Sequence, residues 1–204
     1  RSKKPNIIEV KIFRRKMEKE HNIFALAMIF CLTIAPVYGQ YYSKTVMRVA
    51  QLAEKMTRLH FFLHDTVSGE NPSAVVIAHP NITQASPFGF GTLFAINDPL
   101  TVGPEPTSML IGNAQGLYVS SSRDPAVFTT VMYADFAFTS GRFNGSSFSL
   151  ISRSSSSDAI RELAIVGGRG AFRMAQGFAL TQINFANLTT GDVILECNVT
   201  LYHY

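Results

Sequence analysis

Cysteine is almost missing from this chain, with two in 204 residues. Cys31 lies inside an apolar run near the N-terminus. Cys197 is therefore alone in the rest of the chain, which can build no internal disulfide, and it reads as a small buried residue of a strand. Charge is scarce too, at 16% of residues against 47% hydrophobic. That balance belongs to a globular domain and excludes a disordered one. Past residue 40 there is no convincing long amphipathic helix, and the apolar run near the N-terminus falls short of the ~20 residues that a spanning helix needs. Patterns that carry chemistry are also lacking. There is no G-x-S-x-G nucleophile elbow, and no carboxylate pair at a spacing that declares a glycosidase. His60 and His64 stand four apart without a third ligand, and His79 and His203 stand alone. All four read as hydrogen-bonded strand histidines, so neither metal nor other cofactor is expected.

The formal charge of +4 is misleading. Residues 1–39 hold eight basic and three acidic side chains, which leaves ten basic and eleven acidic beyond them, or a net −1. No basic footprint for nucleic acid remains. Met17–His21 is a short polar head, Ile23–Leu32 a continuous apolar run, and Val37-Tyr38-Gly39 a small-residue cleavage site. Residues 17–39 therefore read as a secretory signal peptide, with residues 1–16 as an upstream extension. Residues 40–58 read as an N-terminal arm. Residues 59–204 form the folded domain, outside the cell and not in a membrane. Four N-x-S/T sequons support a secreted glycoprotein. Asn81, Asn144 and Asn187 sit at turn positions, whereas Asn198 falls within a strand pattern.

Val166–Gly170 reads V-G-G-R-G between two strand-like runs. A phosphate-cradling loop would need a helix directly after its glycines. Here a β pattern follows, so a tight turn or bulge is expected. Nine short strands can be read in all. They cover His60–Asp65, Ala74–Ala78, Phe88–Ile96, Gly112–Ser120, Val127–Phe138, Ser147–Ser152, Arg161–Val166, Ala171–Ala186 and Asp192–Tyr204. Asn97-Asp98-Pro99 opens a Pro-rich loop, and Ser154–Ser157 reads as a loop. This is an all-β domain, sandwich or barrel. The long C-terminal strands favour a closed antiparallel barrel, because closure removes unpaired edges.

Alternation puts Phe61, Leu63 and Asp65 on one face of the first strand, and Gly116, Tyr118 and Ser120 on one face of the fourth. Asp65, Tyr118 and Arg161 among Phe and Leu could line a pocket for an aromatic, hydroxylated ligand. The alternatives stay open at this point: Asp65 as a turn cap, Arg161 as a surface partner of Glu162 or Asp158, Tyr118 as plain core.

Six blocks, taken in order, resemble the plant dirigent proteins. They are Leu59–Gly69 (LHFFLHDTVSG), Phe90–Phe94 (FGTLF), Asp98–Thr101 (DPLT), Ala114–Tyr118 (AQGLY), Phe143–Ser146 (FNGS) and Arg161–Gly168 (RELAIVGG). The resemblance implies an eight-stranded antiparallel β-barrel, secreted to the plant cell wall and glycosylated, as a homodimer or homotrimer. It implies binding of phenoxy radicals from monolignols such as coniferyl alcohol and their stereoselective coupling to lignans. A separate laccase or peroxidase makes the radicals, so no oxidative activity of its own is expected. Some members are instead lyases that dehydrate isoflavanols to pterocarpans through a quinone methide. A barrel that only binds small ligands is the third possibility. The family's catalytic residues carry over onto Asp65, Tyr118 and Arg161, with Phe61 and Leu63 as further substrate contacts. Lignan-forming members also carry an aspartate seven positions before that arginine. Here the position is Ser154, a departure that Asp158 could offset if its loop turns inward.

Overall fold

The computed structural model of the chain describes residues 8, 11–26, 53–81 and 88–204. The chain divides into two units, Arg1–Gln51 and Leu52–Tyr204. In the first, residues 11–26 are helical. Among the described residues no helix is long and apolar enough to cross a membrane. The leader expected over 17–39 runs on beyond residue 26, and the arm expected over 40–58 begins, outside the described residues.

The second unit is a nine-stranded antiparallel sheet. Its strands are β1 (Lys55–Asp65), β2 (Ala74–Ala78), β3 (Leu93–Thr101), β4 (Leu110–Ser120), β5 (Thr129–Phe138), β6 (Ser147–Ser155), β7 (Arg161–Arg169), β8 (Gln176–Ala186) and β9 (Val193–His203). Neighbours in space run β1-β9-β8-β7-β6-β5-β4-β3-β2, and β1 also pairs with β3. That last pairing closes eight strands into a barrel and leaves β2 outside it. Inward residues alternate with outward ones as the pleat requires: Ala134, Phe136 and Phe138 of β5 are buried while their neighbours are not. Aromatic rings fill one half of the interior. Phe148 and Phe172 have no exposure, and Phe136 stacks on Phe148 at 4.9 Å between ring centres. Phe172 arrives there from a single 3₁₀ turn, Gly170–Phe172, that follows β7.

V-G-G-R-G is a bulge followed by a turn, as expected. Ser149 pairs with Gly167 and Leu150 with Ile165, which leaves Val166 as the extra residue. Gly170 then takes φ +65° to enter the 3₁₀ turn.

Several boundaries differ from the sequence reading. β1 begins at Lys55, four residues before Leu59, because all eleven of its residues find partners on β9. The serine run does not end β6: Ser154 and Ser155 pair with Thr130 and Thr129 of the longer β5. Ala171–Ala175 is turn, not strand. The largest difference lies in β3. Residues 88–91 are turn, and the strand continues through Asn97-Asp98-Pro99. β3 pairs with β2 over Leu93–Ile96 and with β1 only at Leu100 and Thr101. Residues 97–99 bridge the gap between those two ladders. Asn97 donates its N–H across the gap to the Ser73 carbonyl at 2.8 Å. By alternation Pro99 turns its nitrogen the same way, so its missing donor falls where no strand asks for one.

Candidate functional site

The half of the barrel that the phenylalanines leave unfilled is a cavity of about 900 Å³. Inward positions of β1 and of β3 to β9 form its wall. The turns around Phe88–Phe90, Ser122–Phe128 and Asn187–Gly191 form its rim. The wall is mainly apolar, with Leu63, Ile96, Met132, Phe136, Leu163 and Leu195 among its residues. The polar groups that interrupt it are few, as in sites that orient a small organic ligand.

Asp65, Tyr118 and Arg161, the three expected together, all reach this cavity, and so do Leu63 and Ser154. Two of the expected contacts lie elsewhere. Phe61 is buried below the cavity against Phe136 and Phe138, with ring centres 6.0 and 6.1 Å away. One residue pair further from the rim than Leu63, it belongs to the aromatic plug. Asp158 is exposed on the β6–β7 turn, where Ser157 donates a hydrogen bond to its Oδ1 at 3.3 Å. It does not turn inward. Ser154 therefore contributes only a hydroxyl on β6 where a carboxylate was sought.

The sequence reading missed Asp98. It lies on the inward face of β3, 1% exposed, and lines the cavity. β1 and β3 pair Phe62 with Thr101 and Leu63 with Leu100. The same antiparallel register carried onward sets Asp65 opposite Asp98. Two carboxyls thus face each other across the barrel seam. Burial and the neighbouring charge push Asp98 up to about 8. Burial pushes Asp65 up to about 6, against a hydrogen bond from Tyr118 that favours its charged form, while the charge of Asp192 adds to the rise. One Asp65 oxygen, Oδ1, is buried without a hydrogen-bond partner. Burial and mutual repulsion thus both disfavour full ionisation of the pair, and the rise is the larger at Asp98. Tyr118 is held as the neutral phenol, first by burial and then by the two carboxyls. Phe94 stacks on its ring at 4.7 Å, and Phe88 stacks on Phe94 at 5.8 Å.

Arg161 reaches the cavity from β7. Its Nε donates to the Ser155 carbonyl at 2.9 Å, which fixes the guanidinium plane. Burial lowers its pKa, and the charge of Asp158 works the other way. Asp192 ties the rim together. Its carboxylate accepts from the Val67 and Ser68 N–H groups and from the Ser68 and Thr190 hydroxyls, at 2.6–3.0 Å. Those bonds, the Ser68 hydroxyl first, hold its pKa down to about 2. Cys197 is on the wall, but burial pushes its thiol up to about 12, so it packs and does not react. His60 bonds Glu196 and His64 bonds Thr101. Among the described residues no group of His, Cys, Asp or Glu could hold a metal ion.

A family model described as dirigent-like protein matches residues 56–202. Dirigent protein 15 of Arabidopsis thaliana is 54% identical over 181 residues, which is 85% of this chain and 94% of that protein. Pterocarpan synthase 1 of Glycyrrhiza echinata is 42% identical over 180 residues, 88% of this chain and 94% of that protein. A solved structure of a pterocarpan synthase dirigent protein superposes with a TM-score of 0.74 at 43% identity, over 80% of this chain and 99% of that one.

Proposed function

The chain belongs to the dirigent family, and from that premise we propose that its cavity binds a phenolic and controls the stereochemistry of a reaction through a quinone methide. The reaction the site suits best is loss of water from an isoflavanol-type benzylic alcohol, the chemistry of the pterocarpan synthases it resembles. The observation that carries this is the facing pair Asp65 and Asp98, two carboxyls buried opposite each other in an apolar wall and both raised by burial, which suits one of them to hold a proton. Asp98 gives its proton to the benzylic hydroxyl, the C–O bond breaks, and water leaves. The charged Asp65 stabilises the electron-poor carbon that results. The para phenol releases its proton at the open mouth and becomes the quinone oxygen, which Arg161 holds. An internal phenolic hydroxyl then adds to the carbon, its proton returns to Asp98, and the quinone oxygen regains one from solvent. Asp98 thus serves as acid and then as base. The walls need only choose a face: a hundredfold bias is about 2.7 kcal/mol, within reach of one or two placed hydrogen bonds.

A second reading, coupling of phenoxy radicals supplied by a laccase or peroxidase, draws support from the cavity's size, which leaves room for two phenylpropanoid rings. One experiment separates the two. The protein is incubated with a racemic isoflavanol alone, and with coniferyl alcohol with and without laccase, and the products are resolved on a chiral column. Conversion of the isoflavanol to one pterocarpan enantiomer without an oxidant is the expected result. An optically active lignan formed only with laccase would shift the assignment to coupling. No effect in either arm would reduce the protein to a binding barrel.

The same reading takes the protein as secreted, on the leader at 17–39 and the sequons. Asn81 and Asn144 are exposed. Asn187 stands at the cavity rim, where its Oδ1 accepts the N–H groups of Thr189 and Thr190. It also takes the barrel as homo-oligomeric. Val75, Ala95, Leu117, Tyr133 and Ile151 pair in one row across β2 to β6 on the outer face. Val75, Leu117, Tyr133 and Ile151 are all more than 40% exposed. A row of that kind, free of charge, suits a second copy of itself. Tyr133→Glu is expected to turn the dimer or trimer into a monomer by light scattering with the fold unchanged. A monomeric parent protein would refute the oligomer.

A further inference from the structure

The carboxyl pair sits where the barrel seam opens, and one side chain stitches that opening shut. β1 and β3 part beyond Leu63 and Leu100, and Ser73, in the connection from β1 to β2, occupies the gap. Its backbone is held on both sides: its N–H donates to the Thr66 carbonyl and its carbonyl accepts from Asn97 N–H, each at 2.8 Å. Its hydroxyl accepts from the Thr66 N–H at 2.9 Å. Two acceptors lie within reach of the one hydroxyl hydrogen, Asp98 Oδ1 at 2.7 Å and the His64 carbonyl at 3.0 Å.

A hydroxyl has a single hydrogen, so the two acceptors compete. The contact to Asp98 Oδ1 is the shorter by 0.3 Å, and the hydrogen is assigned to it. Once Ser73 donates to Oδ1, that oxygen cannot also point a proton at Ser73. We propose that Ser73 is a positioning residue for Asp98: by occupying Oδ1 from outside the cavity, it confines the carboxyl's proton to Oδ2, the oxygen left for the ligand. The inference rests on the acid role given to Asp98 above. It adds what makes that acid usable, because a buried carboxylic acid with both oxygens free would divide its proton between a productive and an idle position. Without the Ser73 hydroxyl, the His64 carbonyl and the Thr66 N–H would each lose a partner as well.

The titratable groups around Asp98 are Asp65 on β1, Tyr118 on β4 and Asp192 in the β8–β9 turn behind Asp65, while Arg161 of β7 lines the same cavity. His64 presents only its carbonyl here, since its ring bonds Thr101 at 2.7 Å. The Ser73 bond favours the ionised form of Asp98. Its removal therefore raises the Asp98 pKa, by about one unit for one lost hydrogen bond.

The test is an infrared titration of the protein without ligand, with the band of the protonated buried carboxyl assigned by its loss in Asp98→Asn. Ser73→Ala is expected to move that band and to shift its midpoint up by about one unit, and Ser73→Thr, which keeps the hydroxyl, to restore both. If Ser73→Ala does not fold, Ser73→Cys, a weaker donor of similar shape, must move the midpoint the same way. With isoflavanol as substrate, kcat should fall about tenfold at unchanged KM, and the alkaline limb of the profile should rise with the midpoint. A midpoint and band unmoved by Ser73→Ala or Ser73→Cys would overturn the assignment. A parent protein that leaves isoflavanol untouched while the band still moves would retire the lyase reading and support the role of Ser73.

Discussion

Asp98→Asn should cut isoflavanol turnover by about a hundred- to ten-thousandfold, the usual worth of a positioned acid–base group, and should flatten the protein's stability at alkaline pH. Asparagine keeps the shape and still accepts the Ser73 hydrogen bond, but it has no proton to give. The second effect follows from linkage. Asp98 is raised to about 8 in the folded chain, whereas an unfolded aspartate titrates near 3.9. A group whose folded pKa is raised contributes stability that is fully present below its unfolded value and lost as pH rises through the folded one. Asp65 behaves likewise through about 6. The other shifted groups act outside the window that matters. Asp192, held near 2, loses its contribution only in acid. His64, lowered by burial from 6.5, loses its own as pH falls. Cys197 adds a slope only above its ordinary value of 9.0. Between pH 7 and 8.5 the slope therefore belongs to Asp98, and the parent protein should lose about 1 kcal/mol across it. Denaturant melts at both pH values measure this. A variant that keeps the parent's slope, or its turnover, would show that Asp98 holds no proton in the folded barrel.

The same residue shows where a sequence stops being legible. Asp65, Tyr118 and Arg161 could be placed because each stands in an alternating apolar run, and alternation survives folding. Asp98 stands in Asn-Asp-Pro, whose local chemistry is that of a turn. Its strand exists because Leu93–Ile96 is paired to β2 and Leu100–Thr101 to β1, partners that lie from 15 to 39 residues away in sequence. A proline that would be costly inside an ordinary ladder is harmless where the ladder changes hands. The signal that could have exposed Asp98 was the period of two running through Phe94, Ile96, Asp98 and Leu100, uninterrupted by the proline. Ser154 failed in the opposite way. A serine run looks like loop, but β5 is long enough to pair it. Asp158, which looked free to turn inward, is held at the surface by the turn that follows. The number of strands and the closure of the barrel were readable because turn chemistry punctuates them. The partner of each carboxyl was not, because register across a seam is a property of the whole barrel.

Gly167→Ala and Gly168→Ala should part company, although the two glycines are adjacent in one motif. A Cβ on Gly167 would meet nothing within 4 Å. One on Gly168 would lie 2.4 Å from the Phe172 carbonyl oxygen and 2.9 Å from that of Ser147. Both obstacles are backbone, so neither can rotate aside. One belongs to the 3₁₀ turn that delivers the unexposed Phe172 ring into the aromatic plug. Relief of the clash must therefore move the turn, and with it a ring that touches Phe138, Phe143 and Phe148. Overpacking of that kind costs about 3 kcal/mol, which for a domain of this size lowers Tm by on the order of 10 °C. Gly167→Ala should stay within about 0.5 kcal/mol of the parent. Thermal melts of the two variants decide the matter. Equal losses would mean that the motif serves chain flexibility in general. A loss confined to Gly168 would mean that the motif's second glycine is set by one carbonyl, and that the bulge at Val166 exists to bring that carbonyl and the Phe172 ring into place at the closed end of the cavity.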